Sequence, residues 1–470
     1  MGDVNLPEKD SLEYHAVMVH RDKIFHGRAL AENGGDDSKL LTFSNAIETS
    51  HIPSLAYLHY ANVSLGTPSL SFLVALDTGT SLLWVPCDCT DCVRSLVTST
   101  PGVEINLNIY STNSSSTSKD VACSSSLCER RNQCSESQSQ CPYQVSYDSA
   151  TTSSGILVED VLRLKTDNHK PKDFNARVTF GCGRVQTGFY FNGTARNGLF
   201  GLGTGKTSVP SILSSQGLVA DSFSMCFGFD VGRIKFGDKG SSDQEETPFN
   251  LMQQSPWYNV SVTQLSVGGN LSSPLDFTAI INSGTSYTFL SEPAYTALCD
   301  TFDSQTQQKR KSSDPGDLLE YCYEVSSDST EFLIPNVTLI MKGGSRFNVY
   351  NPMVTITTNG TVTAYCLGVI KTSTGNFIGN YFMTGHKIVF NREKMVLGWK
   401  ASNLAPSPMS TDAISPTASP SSTDEIPPTV SVPPGSVNDG TPKNGLNSKA
   451  PQYLIASSLL VLFLPILQIV

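Results

Sequence analysis

The sequence predicts an all-β chain folded as two similar lobes around a shared cleft. Three observations carry this prediction. Short alternating or apolar runs are closed by turn residues; 36 Gly and 26 Pro argue for many turns and few long helices; and a weak internal repeat recurs after about 200 residues.

The runs are spread along the chain. Residues 71–76, 155–164, 177–180, 233–236 and 362–370 have the β-branched, aromatic and alternating character of half-buried strands, each bounded by Gly, Asn, Ser or Pro. Helical patterns stand out at 210–216 and 292–307. The chain is 39% hydrophobic, ample for a large core, and 470 residues suit two lobes of about 150–200 residues each.

The repeat is the most informative feature. One copy runs from Phe72 through Leu76 into Asp77-Thr78-Gly79-Thr80-Ser81-Leu82, the other from Phe277 through Ile281 into Asn282-Ser283-Gly284-Thr285-Ser286-Tyr287. In each, an apolar strand ends in a short acid or amide, followed by a small hydroxyl residue, Gly, Thr and Ser. Each also has a downstream apolar pair closed by Gly. Leu199-Phe200-Gly201 lies 124 residues beyond Asp77, and Phe377-Ile378-Gly379 lies 97 beyond Asn282. Two lobes of one plan, each giving a loop to a common cleft, account for this pattern.

Charge excludes one class of partner. The net charge of −10, from 32 basic and 42 acidic residues, is poorly suited to neutralising nucleic-acid phosphates. Twelve Cys and seven Asn-x-Ser/Thr sequons, at Asn62, Asn113, Asn192, Asn259, Asn270, Asn336 and Asn359, favour a secreted, disulfide-bonded glycoprotein. Residues 1–12 contain no apolar stretch of the signal-peptide kind, so this reading expects a leader that the sequence does not contain. Residues 403–443 form a Pro/Ser/Thr-rich stalk: 37 residues from Pro406 hold nine Pro, eight Ser and five Thr. Within 444–470, an uncharged apolar tail runs from Tyr453 to the last residue. With small residues and a spacer before it, this is a GPI-attachment pattern, the attachment residue being Asn438 or Asn444; the alternative is a tail-anchored membrane helix of marginal length.

Two motifs are decoys. Gly201-Leu202-Gly203-Thr204-Gly205-Lys206-Thr207 mimics a phosphate-binding loop, but the Gly required five residues before Gly205 is Phe200. Cys87, Cys89, Cys92, Cys123, Cys128, Cys134 and Cys141 could suggest zinc, but no His lies among them. If all seven form disulfides, at least one pairs outside the group.

With Asp77-Thr78-Gly79-Thr80-Ser81 followed by Leu83-Trp84-Val85-Pro86-Cys87, with Tyr60 to Pro68, Phe180-Gly181-Cys182-Gly183 and Lys394 to Trp399, residues 55–400 resemble pepsin-like (family A1) aspartic proteases. The likeness is to the plant nepenthesin-like group that includes GPI-anchored members. The resemblance implies a bilobal fold with an N-terminal lobe over 55–245, carrying the Cys-rich insertion, and a C-terminal lobe over 246–402. It implies a propeptide over 1–50, where His15, His20 and His26 accompany Arg21, Lys23 and Arg28; a solvated basic patch is the alternative. It also implies a Cys322–Cys366 bridge, insertion disulfides rather than metal, no cofactor, a peptide or protein partner, and a monomer on the outer leaflet.

The family's chemistry uses two carboxyls that share a proton and activate a water at acid pH. Asp77 matches the first position. The second is Asn282, which can donate a hydrogen bond but can be neither the base nor a proton donor. The expectation is an aspartic endopeptidase whose activity is cut by about 10²–10⁴-fold. The alternative is a silent, protease-like protein that binds peptides or proteins in the cleft. Thr78 and Ser283 resemble hydroxyls that interlock across the loops, and Gly79 and Gly284 permit close approach. Thr80 and Thr285 resemble residues that hydrogen-bond the outer carboxylate oxygens. Tyr147 resembles the flap tyrosine, with Asp148 in place of the usual Gly, and Trp84 its buttress; a surface Tyr and a plain core Trp are the alternatives.

Overall fold

A computed structural model describes residues 11, 40–43, 48–51, 57–97, 104–134, 139–146, 150–167, 172–229, 231–250, 257–312, 318–325, 334–358 and 361–402. The stalk, the apolar tail with Asn438 and Asn444, and His15, His20 and His26 lie outside the described residues. No helix among the described residues is long and apolar enough to cross a membrane.

Burial alternates along Val231–Phe236, while other strands are covered on both faces. In the strand His59–Leu65 all side chains are buried except that of Asn62, and it pairs antiparallel with Leu70–Asp77, Tyr60 opposite Ala75 and Leu65 opposite Leu70. The long strands Thr152–Thr166 and Asp173–Gln186 form one hairpin. These strands belong to a fifteen-stranded sheet. The C-terminal half adds an eight-stranded sheet, which holds Asn259–Val267, Phe277–Ile281, Val337–Met341 and Asn376–Ile378, and a three-stranded one. The two anticipated helices form at Val209–Ser215, capped by Ser208 accepting from Ser211 N–H, and at Ala294–Gln305.

The large sheet crosses from one half to the other. Ser222–Cys226 pairs antiparallel with His386–Asn391, and the rings of Phe223 and Phe390 stack at 4.6 Å. Glu245–Pro248 pairs with Val396–Ala401. The lobe boundary expected between residues 245 and 246 therefore falls inside a strand that belongs with the C-terminal hairpin. The largest apolar cluster runs through both halves, because the crossing strands bury Phe223, Met225, Ile388 and Phe390 in it.

Part of the stretch expected as a propeptide, residues 1–50, lies in the large sheet. Leu41–Phe43 pairs with Thr152–Thr166 and Val231–Phe236, and Glu48–His51 pairs with Val231–Phe236 and His59–Leu65. Leu41 and Phe43 are fully buried, and the Phe43 ring meets Phe200 at 5.2 Å. The basic character of the first 50 residues hides a local apolar run, Leu41-Thr42-Phe43, which has core to cover.

Five disulfides form: Cys87–Cys182, Cys89–Cys92, Cys123–Cys134, Cys128–Cys141 and Cys322–Cys366. Cys87 is the insertion cysteine that pairs outside the group, and the second-lobe bridge is the one the resemblance implied. Cys226 and Cys299 are free thiols. The Cys87–Cys182 bond spans 95 residues, a loop whose closure in the unfolded chain is worth about 4–5 kcal/mol in the chain-entropy picture.

His386 opens the crossing strand. It is 1% exposed, stacked on Phe347 at 4.4 Å. Burial pushes its pKa down to about 4, against the pull of the Met383 and Thr384 backbone. Between about pH 6.5 and pH 4 the unfolded chain therefore binds a proton that the folded chain refuses, and stability falls with pH by up to about 3 kcal/mol. In thermal melts over that window, His386→Phe is expected to flatten this part of the decline in Tm. A slope equal to that of the parent protein would refute the assignment.

Candidate active site

Each loop begins where an apolar strand runs out. Leu70–Asp77 is followed by Thr78-Gly79, and its end lies parallel to Leu199–Gly201, with Gly201 opposite Asp77. In the second half Phe277–Ile281 lies parallel to Asn376–Ile378, and Asn282 N–H donates to Ile378 O at 3.0 Å. The downstream Gly of each repeat is required by space. A Cβ at Gly201 would overlap the Ser81 carbonyl group, and one at Gly379 the Tyr287 carbonyl.

The loops face each other. A Cβ on Gly79 would sit 2.8 Å from Asn282 Oδ1, and one on Gly284 would overlap the Asp77 carboxyl. Four reciprocal hydrogen bonds join them. Thr78 N–H donates to Ser283 Oγ at 3.0 Å and Ser283 N–H to Thr78 Oγ1 at 2.9 Å. Thr78 Oγ1 donates to Ile281 O and Ser283 Oγ to Leu76 O, both at 2.9 Å. Both side chains are fully buried.

Asp77 and Asn282 occupy matching positions, 1% and 2% exposed. Gly79 N–H donates to Asp77 Oδ1 at 2.7 Å, and Gly284 N–H to Asn282 Oδ1 at 2.9 Å. The amide thus reproduces the carboxyl's backbone contact while changing its chemistry.

Thr80 and Thr285 depart from expectation. Both are buried, but neither hydroxyl has a hydrogen-bond partner among the described residues, so neither serves an outer oxygen here. Trp84 is fully buried and meets Tyr190 edge-on at 4.8 Å, in a cluster with Tyr60 and Tyr143; its indole N–H has no partner among the described residues. Tyr147 lies outside the described residues, but the strands flanking it form a hairpin, Ser146 opposite Thr152.

The phosphate-loop mimic has a structural task. Gly203 N–H donates to Thr80 O at 2.7 Å and Gly205 N–H to Ser81 Oγ at 2.9 Å, so these two donors are committed to the first loop. The cysteine groupings with metal-like geometry, Cys123/Cys128/Cys134 and Cys87/Asp88/Cys182, consist of disulfide sulfurs apart from Asp88. A cavity of about 750 Å³ is lined by polar residues such as Asp88, Asp120 and Arg184, none of them from the paired loops.

Among the sequons, Asn62, Asn113, Asn270 and Asn336 are exposed. Asn359 and the side chain of Asn192 lie outside the described residues. Asn259 is corrected: it is 7% exposed, and its Oδ1 accepts from Asn250 at 2.7 Å, so the folded chain has no room for a glycan there. A residue that sequence reasoning missed is Asn380. Its Nδ2 donates to Ser283 O at 2.7 Å and Thr285 O at 3.0 Å, tying the second loop down. Its only sequence signal is its place directly after Gly379, where the first repeat has Leu202.

Replacing the Thr78 hydroxyl by a methyl, as Thr78→Val, leaves the buried Ser283 N–H without its acceptor. Leaving such a group unmade costs about 1–3 kcal/mol. Chemical denaturation is expected to show that loss with an unchanged m-value, whereas Thr78→Ser keeps the hydroxyl and most of the stability.

Comparison with known proteins follows the same division into halves. A family model described as Xylanase inhibitor N-terminal matches residues 59–238, and one described as Xylanase inhibitor C-terminal matches 257–401. Aspartyl protease family protein 1 of Arabidopsis thaliana is 47% identical over 100% of this chain and 90% of its own length. Aspartic proteinase-like protein 1 of the same plant is 37% identical over 88% of this chain and 78% of its own. The crystal structure of basic 7S globulin from soybean superposes with a TM-score of 0.59 at 23% identity, covering 78% of this chain and 96% of that one, a likeness of fold. The paired loops, the crossing sheet and these relatives together establish that the chain belongs to the pepsin-like aspartic protease family.

Proposed function

We propose that the chain binds an extended peptide or protein segment where its two loops meet, as an aspartic endopeptidase whose hydrolysis is held back by Asn282. The carrying observation is that Asn282 keeps the geometry of the second catalytic position, with Gly284 N–H on its Oδ1 at 2.9 Å, but offers no titratable proton. A water between the loops can still lose a proton to Asp77. The developing oxyanion then meets an amide N–H in place of a carboxyl O–H, and no proton can be shared or returned from that side. The surrounding reading is a glycosylated, GPI-anchored monomer on the outer leaflet, made with a propeptide. It is supported by the sequons, the stalk and the apolar tail.

A second reading, binding without turnover, is favoured by the same amide and by the family model's description as xylanase inhibitor. Cleavage of a protein substrate in weak acid separates the two. Asn282→Asp is expected to raise kcat by at least about 10²-fold with little change in KM. Equal rates would show that the amide does not limit turnover, and no cleavage by either protein would favour the pure binder.

Spontaneous deamidation would restore the carboxyl if the Ser283 nitrogen attacked the Asn282 side-chain carbonyl carbon, expelled ammonia and closed an imide that water then opened. Here Ser283 N–H is committed to Thr78 Oγ1 at 2.9 Å, and Asn282 Oδ1 is held by Gly284 N–H. The folded protein, aged at neutral pH, is therefore expected to keep the amide. A gain of about one dalton in the peptide spanning residue 282, with return of an acidic proton donor, would show that the grip does not protect it.

A further inference from the structure

The hydrogen bonds around the pair fix which atom of Asn282 points where. Gly284 N–H lies 2.9 Å from the Asn282 side chain and requires an oxygen acceptor, which assigns Oδ1 to that side and the NH2 to the other. Turning the amide over would set donor against donor in a site where Asn282 is 2% exposed. On the opposite loop, Asp77 is the acceptor, its Oδ1 taking Gly79 N–H. The pair therefore combines one carboxylate acceptor with one amide donor, and the donor keeps its protons at every ordinary pH.

Two carboxyls in these positions behave differently. They supply a donor only while one of them holds a proton. Once both ionise, the donor is lost and two like charges remain. Asp77 ionised beside Asn282 has the charge and the donor of the singly protonated dyad, and it keeps both as pH rises.

We propose that the Asp77–Asn282 pair makes this a peptide-binding site that works at neutral pH, holding an extended peptide through a central hydroxyl or carbonyl with the same affinity as in weak acid. The inference rests on the proposed peptide-binding role of the paired loops and adds its pH range. Other groups packed near the loops do not reproduce the effect. Thr78 to Leu82 and Ser283 to Tyr287 carry no charge, nor do Leu202, Gly203 and Asn380, which hydrogen-bond to the two loops. Behind Gly203 lies the buried Arg392–Asp221 ion pair, Nε to Oδ1 at 3.2 Å, with Arg392 Nη1 on Gly203 O at 3.5 Å. Burial raises the Asp221 carboxyl against the pull of Arg392. Tyr258, whose hydroxyl donates to Leu202 O, is raised by burial, and Glu393 pairs with Lys239 at 2.9 Å. All of these are common to the parent and a variant at residue 282, so they cancel in a comparison of the two.

The test is calorimetric titration of the full chain with a statine-containing peptide, whose central hydroxyl can both donate and accept. Kd is measured at about pH 4.5 and about pH 7, on either side of the range in which a paired second carboxyl ionises. For the parent protein Kd is expected to change less than about 3-fold, while Asn282→Asp binds at the lower pH and weakens at least about 10-fold at the higher. Asp77→Asn, with no ionisable group in the pair, is expected to bind more weakly than the parent with no pH dependence, and a thermal melt of each variant at both pH values reports whether it is folded. Parallel weakening of the parent and Asn282→Asp would overturn the inference and leave the peptide-binding reading standing. No binding by any of the three at either pH would overturn both.

Discussion

The reciprocal hydrogen bonds of Thr78 and Ser283 are the constraint on which the site depends. They join loops 205 residues apart in sequence, and each side chain both accepts from the opposite backbone N–H and donates to an opposite carbonyl. Both residues are fully buried, so no solvent replaces a lost partner, and the penalty for leaving one of these groups unmade exceeds the modest net gain of making it. The relative placement of residues 77 and 282 is thus a property of their neighbours. The pair is held from outside.

That separation of geometry from chemistry explains how an amide can stand where the family's two-carboxyl chemistry calls for an acid. An amide has nearly the shape of a carboxyl, and its oxygen satisfies the same Gly284 N–H. That backbone contact is made by the amide, while its proton count differs from a carboxyl's. The two halves differ again behind the loops. Asn380 ties down the second loop from its side chain, while the first is held by Gly203 and Gly205 N–H groups, with Arg392 reaching Gly203 from the C-terminal half. Arg392 and Asp221 are 6% and 4% exposed in their side chains. Such a pair adds little net stability, but severing it would strand a buried charge, so it fixes how the halves meet beneath the first loop.

Much of this was legible from the residues because local pattern and global role coincide. Asp77-Thr78-Gly79 and Asn282-Ser283-Gly284 lie at strand ends because the preceding apolar runs have to pair on both edges, and their downstream Gly201 and Gly379 lie where a side chain would strike backbone. The two helices and the strand runs are marked locally, by spacing of about 3.6 and of 2 residues respectively. What escaped was non-local. Nothing in Leu41-Thr42-Phe43 says which strands it joins, and it fills a gap between two distant strands. Glu245–Pro248 pairs with a hairpin about 150 residues later, so a lobe boundary drawn on sequence cut it. Thr80 and Thr285 were assigned by likeness to a two-carboxyl site, but their hydroxyls find no partner among the described residues. Asn259 fits a sequon by spacing, yet sequence alone does not show that it faces Asn250 inside the fold.

Acid bears on the crossing sheet through groups of opposite tendency. Asp238 is buried, which raises it, but Lys387 and Ser224 outweigh burial and hold its carboxyl below the usual range. Asp160 is likewise held low, its burial outweighed by the hydroxyls of Ser115, Thr117 and Tyr110. Carboxylates with depressed folded-state pKa values contribute stability above their unfolded pKa and lose it only as pH falls through the folded value. These two groups therefore keep their hydrogen bonds through weak acid. His386, one residue before Lys387 on the same crossing strand, has the reverse dependence: its buried ring resists a proton that the unfolded chain accepts from near-neutral pH downward. A pair of carboxyls at the loops would have to work in the range where His386 erodes the sheet that holds the halves together. An acid and an amide need no shared proton, so the donor at residue 282 does not depend on the acid range in which His386 loses stability.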